Sequence, residues 1–116
     1  MKVIIAGGRN FNDYDFLCKK VDEILVWNYI DIEIVSGTAN GTDKLGERYA
    51  LEWGFPVKQF PSNWDLHGKS AGYLRNSEMA KYSDLLIAFW DGKSKGTKHM
   101  IDLAKKGGLI VEIILF

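Results

Sequence analysis

The chain predicts an α/β fold: one three-layer α/β/α domain on a five-stranded parallel sheet, with strand order 3-2-1-4-5. Three observations predict it. Short apolar runs bounded by turn residues recur at Val3–Ala6, Ile32–Val35, Val57–Phe60, Leu85–Trp90 and Ile110–Phe116, and stretches of helical length lie between them. Gly7, Gly8, Gly37, Gly41, Gly68, Gly72, Gly92 and Gly96, eight of twelve glycines, fall where strands lead into helices, while Gly54, Gly107 and Gly108 occupy the opposite turns. Finally, 116 residues suit a single domain burying roughly 65–70% of its unfolded surface.

The first helix is expected from Asn12 as cap, with Asp13 and Asp15 at the positive end of its dipole, to about Asn28; Leu17, Val21, Ile24 and Leu25 face the sheet. The second runs from Thr42 to Trp53 and stops at Gly54 and Pro56. A third spans Gly72 to Tyr82. The fourth starts near Gly96-Thr97, places Met100, Ile101 and Ala104 on one face and ends at Gly107-Gly108.

Strands covered on both faces read as continuous apolar runs, so Val3–Ala6 and Leu85–Phe89 are central. Val57–Phe60, between Pro56 and Pro61, reads as an edge, and Val111-Glu112-Ile113 as the opposite edge. That order reverses direction between strands one and four. Ligands of open parallel sheets sit beyond the carboxyl ends of the strands at such a switch point, which makes the glycine-rich rim the candidate functional edge.

Composition narrows the function classes. With 47% hydrophobic and 26% charged residues the chain is ordinary globular material, neither disordered nor low-complexity. Fifteen Lys and Arg balance fifteen Asp and Glu, which weakens any case for nucleic-acid binding through bulk charge. Charge is nevertheless uneven: the rim segments 7–13, 36–44, 61–76 and 90–99 carry Arg9, Lys44, Lys69, Arg75, Lys93, Lys95 and Lys98 against Asp13, Asp43, Asp65 and Asp91. A lone Cys18 precludes an internal disulfide and any multi-cysteine zinc site. His67 and His99 lack metal-ligand spacing, so no metal site is expected. The first apolar run is too short for a signal peptide and no run approaches a membrane span, so a cytoplasmic protein without a membrane partner is expected.

Four loops carry the candidate chemistry. Gly7-Gly8-Arg9-Asn10 lets backbone N–H groups approach an oxyanion and adds a two-pronged donor for phosphate; it equally suits a tight turn beside a solvated arginine. The run from Ser36 and Gly37 to Gly41, Thr42 and Asp43 opens a helix with a cradle of N–H groups and hydroxyls. Asp43 is placed to cap that helix, to hold a ribose hydroxyl or to hold a neighbouring loop, with a structural or orienting role favoured over an acid–base one. The third loop, Pro61 to Gly72, is long enough for a functional cover; it carries Trp64 and leads to Arg75-Asn76. Arg75 near a helix amino terminus is badly placed for dipole energetics, which a bound anion would relieve. The fourth loop, Trp90-Asp91-Gly92-Lys93-Ser94-Lys95-Gly96-Thr97, has the wrong residue order for a P-loop, since Thr97 stands where lysine would follow the glycine.

Taken in order, Gly7-Gly8-Arg9, Ser36-Gly37-x-Ala39-x-Gly41-x-Asp43, Leu74-Arg75-Asn76 with Met79-Ala80, and Ala88-Phe89-Trp90-Asp91-Gly92-x-Ser94-x-Gly96-Thr97 resemble the YspA/YpsA-related branch of the SLOG superfamily. The resemblance spans nearly the whole chain. It implies a Rossmann-like fold binding a nucleotide or nucleotide derivative such as ADP-ribose, as a sensor or ligand-binding module, and self-association is common among such proteins. The Ser36–Asp43 run and Arg75-Asn76 also look like the DNA-processing relative DprA. The cytokinin-activating relatives use P-G-G-x-G-T-x-x-E, but here Met100 occupies the glutamate position and the P-G-G portion is absent.

Expected ligand contacts are Gly7, Gly8, Arg9, Ser36, Gly37, Asp43, Arg75, Asn76, Trp90, Asp91, Gly96 and Thr97 over a domain of residues 1–116, with Arg9 and Arg75 neutralising phosphate and Trp90 or Trp64 stacking on a base. The rival readings are N-glycosidic hydrolysis with Asp43 or Asp91 as acid or base, sequestration of a signalling nucleotide as a phage-borne protein would do it, and, least favoured, single-strand DNA binding.

Overall fold

A computed structural model describes residues 1–116, apart from the side chain of Lys69. The elements are β1 (Lys2–Gly7), α1 (Tyr14–Leu25), β2 (Glu33–Ser36), α2 (Thr42–Trp53), β3 (Val57–Gln59), α3 (Trp64–His67), a 3₁₀ turn (Gly68–Ser70), α4 (Ala71–Tyr82), β4 (Leu85–Trp90), α5 (Lys95–Lys106) and β5 (Ile110–Leu115). All strand pairs are parallel and the order is β3-β2-β1-β4-β5, as the distribution of apolar and polar strands predicts.

Alternation along the strands divides the core. Val3, Ile5, Ile34, Leu85, Ile87 and Phe89 point to one face, where Leu17, Val21 and Leu25 of α1 and Tyr49 and Ala50 of α2 cover them. Ile4, Ala6, Val35, Leu86 and Ala88 point to the other, beneath Met79 of α4 and Met100, Ile101 and Ala104 of α5. Each fully buried aliphatic or aromatic side chain contributes roughly 1.5–3 kcal/mol of transfer free energy, so these two layers hold the sheet rigid beneath its loops.

Local chemistry moves several element ends. Asp13, not Asn12, caps α1, its carboxylate accepting from the Phe16 amide at 3.1 Å. That helix closes at Leu25 rather than Asn28, because Val26 turns extended and the Asn28 side chain donates to the Ile24 carbonyl at 2.8 Å. Ser94 caps α5, one turn position earlier than glycine placement suggests. The third loop is partly helical: Asn63 accepts from the Leu66 amide at 3.1 Å and starts α3, which runs through the 3₁₀ turn into α4. No helix is long and apolar enough to cross a membrane.

Candidate functional site

The β1–α1 loop is shaped by two glycines that cannot be replaced without collision. A Cβ on Gly7 would strike the Phe89 carbonyl and approach Thr42 Oγ1 to 2.8 Å; one on Gly41, held at φ +77°, would strike the Arg9 carbonyl and come within 2.5 Å of the Gly8 carbonyl. This close approach lets the Gly8 carbonyl accept from the Phe11 and Thr42 amides at 3.3 Å each and from Thr42 Oγ1 at 3.0 Å. The Gly8 amide donates to the Phe89 carbonyl at 3.2 Å. Gly8 therefore fixes the loop instead of offering its amide to a ligand. What the loop presents is Arg9, an exposed guanidinium without an ion pair among the described residues.

The wall after β2 is a closed network. Ser36 is buried and its hydroxyl donates to Glu47 at 2.6 Å, while the Thr38 amide donates to Ser36 Oγ at 3.1 Å. Ser36 thus points away from the cavity, because its buried hydroxyl needs a partner and Glu47, one helical turn beyond Asp43, supplies it. Asp43 is 5% exposed and accepts from the Ala39 amide at 3.1 Å. Burial pushes its carboxyl up to about 6, against the lowering effect of the Ala39 amide and of the Arg75 and Arg9 charges.

Arg75 does not wait for an anion. Its guanidinium donates to the Gly37 carbonyl and, through Nε, to Asn76 Oδ1 at 3.0 Å, and its charge faces Asp43. Those partners answer the dipole conflict that its helix position creates. Burial lowers its pKa while Asp43 raises it. Gly37 is glycine because a Cβ there would lie 2.8 Å from both Arg75 Nη1 and Asp43 Oδ2.

The β4–α5 loop closes the opposite side. Asp91 accepts from the Lys93 and Ser94 amides at 2.8 Å each, a turn that holds its carboxyl below the usual carboxylate range. Ser94 Oγ accepts from the Thr97 amide at 3.4 Å, leaving Lys95 and Gly96 to present the amino terminus of α5. Asn76 links the walls, its Nδ2 lying 3.5 Å from the Gly96 carbonyl and 3.3 Å from His99 Nδ1. Burial lowers the pKa of His99.

These walls enclose a cavity of about 470 Å³ above the switch between β1 and β4, lined by Gly7, Gly8, Arg9, Asp43, Arg75, Asn76, Asp91, Gly96 and Thr97 together with Trp64, Tyr73, Met79 and Phe116. A second hollow of about 330 Å³ adjoins it and shares Arg9, Ala39, Trp64 and Arg75.

Residues 1–67 match the model of YAcAr, the YspA, cpYpsA-related SLOG family. The chain belongs to this family. It is also similar to the Gene 61 protein of Mycobacterium phage D29, at 33% identity over 118 residues covering 95% of this chain and 93% of that protein. No solved structure matches the chain. Membership of the SLOG family supports a nucleotide-related binding module in general.

Within the SLOG match lie the β1 loop, the Ser36–Asp43 run and Trp64; Arg75, Asn76 and the β4–α5 loop lie beyond it and are joined to the first three by geometry. Nine of the twelve expected contacts line the larger cavity, and Gly37 lines the smaller. Ser36 and Trp90 line neither. The Trp90 indole donates to the Ser94 carbonyl at 3.1 Å and packs against the α4–α5 core, whereas Trp64 is 52% exposed and lines both hollows. The rim cation Lys69 has its side chain outside the described residues. Sequence reasoning missed Glu47, Thr42 and Phe116 as partners of these loops. Glu47 lies four residues after Asp43, a helical spacing that placed it beside the Ser36 loop; Phe116 gave no signal.

Proposed function

We propose that this SLOG domain binds a phosphorylated nucleotide derivative of the ADP-ribose kind in the cavity above β1 and β4, as a sensor or ligand-binding module. The observation that carries the reading is that Arg9 of the β1 loop and Ser94, Gly96 and Thr97 at the amino terminus of α5 line one cavity, bringing a guanidinium and the positive end of a helix dipole to the same space. Both favour an oxyanion. The volume falls within the roughly 300–1,000 Å³ typical of small-molecule sites. Trp64, at the junction with the second hollow, offers a stacking surface for a base, and Asp43 and Asn76 offer polar contacts to a sugar.

Calorimetry of the purified chain against ADP-ribose, cyclic ADP-ribose isomers and common nucleotides, with identification of small molecules released on denaturation, tests this. Binding of at least one phosphorylated nucleotide, weakened tenfold or more by Arg9→Ala, is the expected result; tenfold corresponds to about 1.4 kcal/mol. Absence of binding by every candidate, or full affinity in Arg9→Ala, overturns it.

One observation favours a hydrolytic second reading. Asp43 borders the cavity and holds its proton up to about pH 6, so it is a candidate general acid for a glycosidic oxygen or nitrogen, whereas Asp91 is tied to two amides and kept ionised. Release of ribose phosphate or free base, abolished by Asp43→Asn, supports turnover. Binding without release leaves a module that reports or withdraws its nucleotide.

A further inference from the structure

The two edges of the sheet are built differently. β3 has three residues, carries Lys58 and is flanked by Pro56 and Pro61, all of which discourage another strand from pairing with it. β5 has six residues, runs in unbroken register with β4 from Ile110 to Leu115, and contains Glu112 as its one charge. Ile113 and Leu115 are 39% and 66% exposed. Each edge carries one charge, but β5 is twice as long as β3 and has no proline beside it.

We infer that β5 is a self-pairing edge: two copies of the chain join their sheets through antiparallel β5 strands, with the two-fold axis passing midway between Ile113 and its own copy. The register follows from the backbone. Ile110 donates to the Asp84 carbonyl and Phe116 to the Trp90 carbonyl, so the even-numbered residues of β5 turn their N–H and C=O groups toward β4. Alternation leaves those of Val111, Ile113 and Leu115 facing outward. A two-fold axis perpendicular to a continuous sheet keeps each side chain on its own face, so opposed residues share parity and one residue must face its own copy across the axis.

Three centres are available. Centring on Ile113 opposes Ile113 to its own copy and Val111 to Leu115 of the partner subunit, so every outward N–H and C=O finds a partner. Glu112 then faces Ile114 of the partner subunit. Centring on Glu112 leaves Leu115 without a hydrogen-bonded partner in β5 and sets two carboxylates opposite one another at a Cα spacing of about 4.5 Å, a destabilising arrangement. Centring on Ile114 leaves Val111 without a hydrogen-bonded partner in β5. The Ile113 register also lines Val111, Ile113 and Leu115 of both copies along the α4–α5 face, where Val111 already packs. It places Ile110 of the partner subunit opposite Phe116, whose ring approaches Gly8 and lines the larger cavity.

The test pairs sedimentation velocity with per-residue amide exchange on the full chain. A dimer is expected, with the Val111, Ile113 and Leu115 amides slowed on the order of tenfold or more relative to the outward amides of β3. Ile113→Pro removes an N–H that points away from β4, so the internal ladder is untouched. It should sediment as a monomer with an unchanged circular dichroism spectrum. A monomeric wild-type chain, fast exchange at those three amides, or a dimer that persists in a folded Ile113→Pro variant overturns the proposal. Should the variant fail to fold, exchange in the wild-type chain decides alone.

Discussion

The two walls of the larger cavity use the same residue types for opposite ends. On the β2–α4 side, Ser36, Asp43, Arg75 and Asn76 bond to one another and to nearby backbone, and Ser36, Asp43 and Asn76 are buried. On the β1–α5 side, Arg9 and the start of α5 face the space with no side-chain partner for the guanidinium among the described residues. Arg9 and Arg75 illustrate the difference. A guanidinium already held by a carbonyl, an amide oxygen and a nearby carboxylate has little left to gain from an incoming phosphate, whereas an unpaired one at a rim retains its full donor set. The closed wall sets the cavity's shape, and the open wall is where a ligand would gain contacts.

Breaking the junction between the walls should produce the largest effect. Gly41 combines a φ of +77° and ψ of −126°, a conformation L residues rarely adopt, with contacts to the Gly8 and Arg9 carbonyls that leave no room for a methyl group. Gly41→Ala adds backbone strain to overpacking, and a loss of roughly 4 kcal/mol is expected in denaturant melts. Gly54→Ala is the control, since it also has a positive φ but opens onto empty space; it should lose only about 1 kcal/mol. Equal losses would mean that strain alone, and not the meeting of the two loops, determines the requirement at Gly41.

The closed wall should also reveal itself through pH. Asp43 takes up a proton near pH 6 when folded and near its ordinary value of 3.8 when unfolded, because burial outweighs its amide and arginine partners. Between those values the folded chain binds more protons than the unfolded one. The resulting stability is present in full below about pH 4 and is lost as pH rises through 6, a change on the order of 3 kcal/mol. Asp91, Glu52 and Asp102 are depressed carboxylates and act in the reverse sense, losing stability as pH falls. Asp43→Asn should therefore remove that loss, so that stability of the variant relative to wild type rises by on the order of 3 kcal/mol between about pH 4 and 6, while the contribution of the other carboxylates cancels in the difference. An unaltered slope would show that Asp43 titrates normally and that the wall is wetter than its burial indicates.

This asymmetry was half legible in the sequence. Strand order could be read because Val3–Ala6 and Leu85–Phe89 are uninterrupted apolar runs and Val57–Phe60 sits between prolines; burial on both faces imposes the first pattern and edge position tolerates the second. That order alone puts the β1 and β4 loops side by side. The destination of each polar side chain was another matter. Arg75 reads in sequence as a cation at the wrong end of a helix, and its relief comes from the Gly37 carbonyl, 38 residues away, a tertiary contact with no local signature. Ser36 and Trp90 likewise carry donors whose partners, Glu47 and the Ser94 carbonyl, are fixed by how the loops fold back. The short α3 escaped because four residues show no helical period, although Asn63 before Trp64 and Asp65 is a legitimate start signal.

The smallest effect on folding is expected at Arg9, and it separates the two walls most cleanly. Removal of an exposed, unpaired guanidinium should shift stability by less than about 0.5 kcal/mol. Arg75→Ala should cost several times more, because it strips the Gly37 carbonyl of its donor and deepens the isolation of buried Asp43. Denaturant melts of both variants at neutral pH give the ratio. Near-equal losses would mean that Arg9 has structural partners of its own and that the β1–α5 wall is as closed as the other. A silent Arg9→Ala beside a damaged Arg75→Ala means that one arginine holds the site together while the other is available to what enters it.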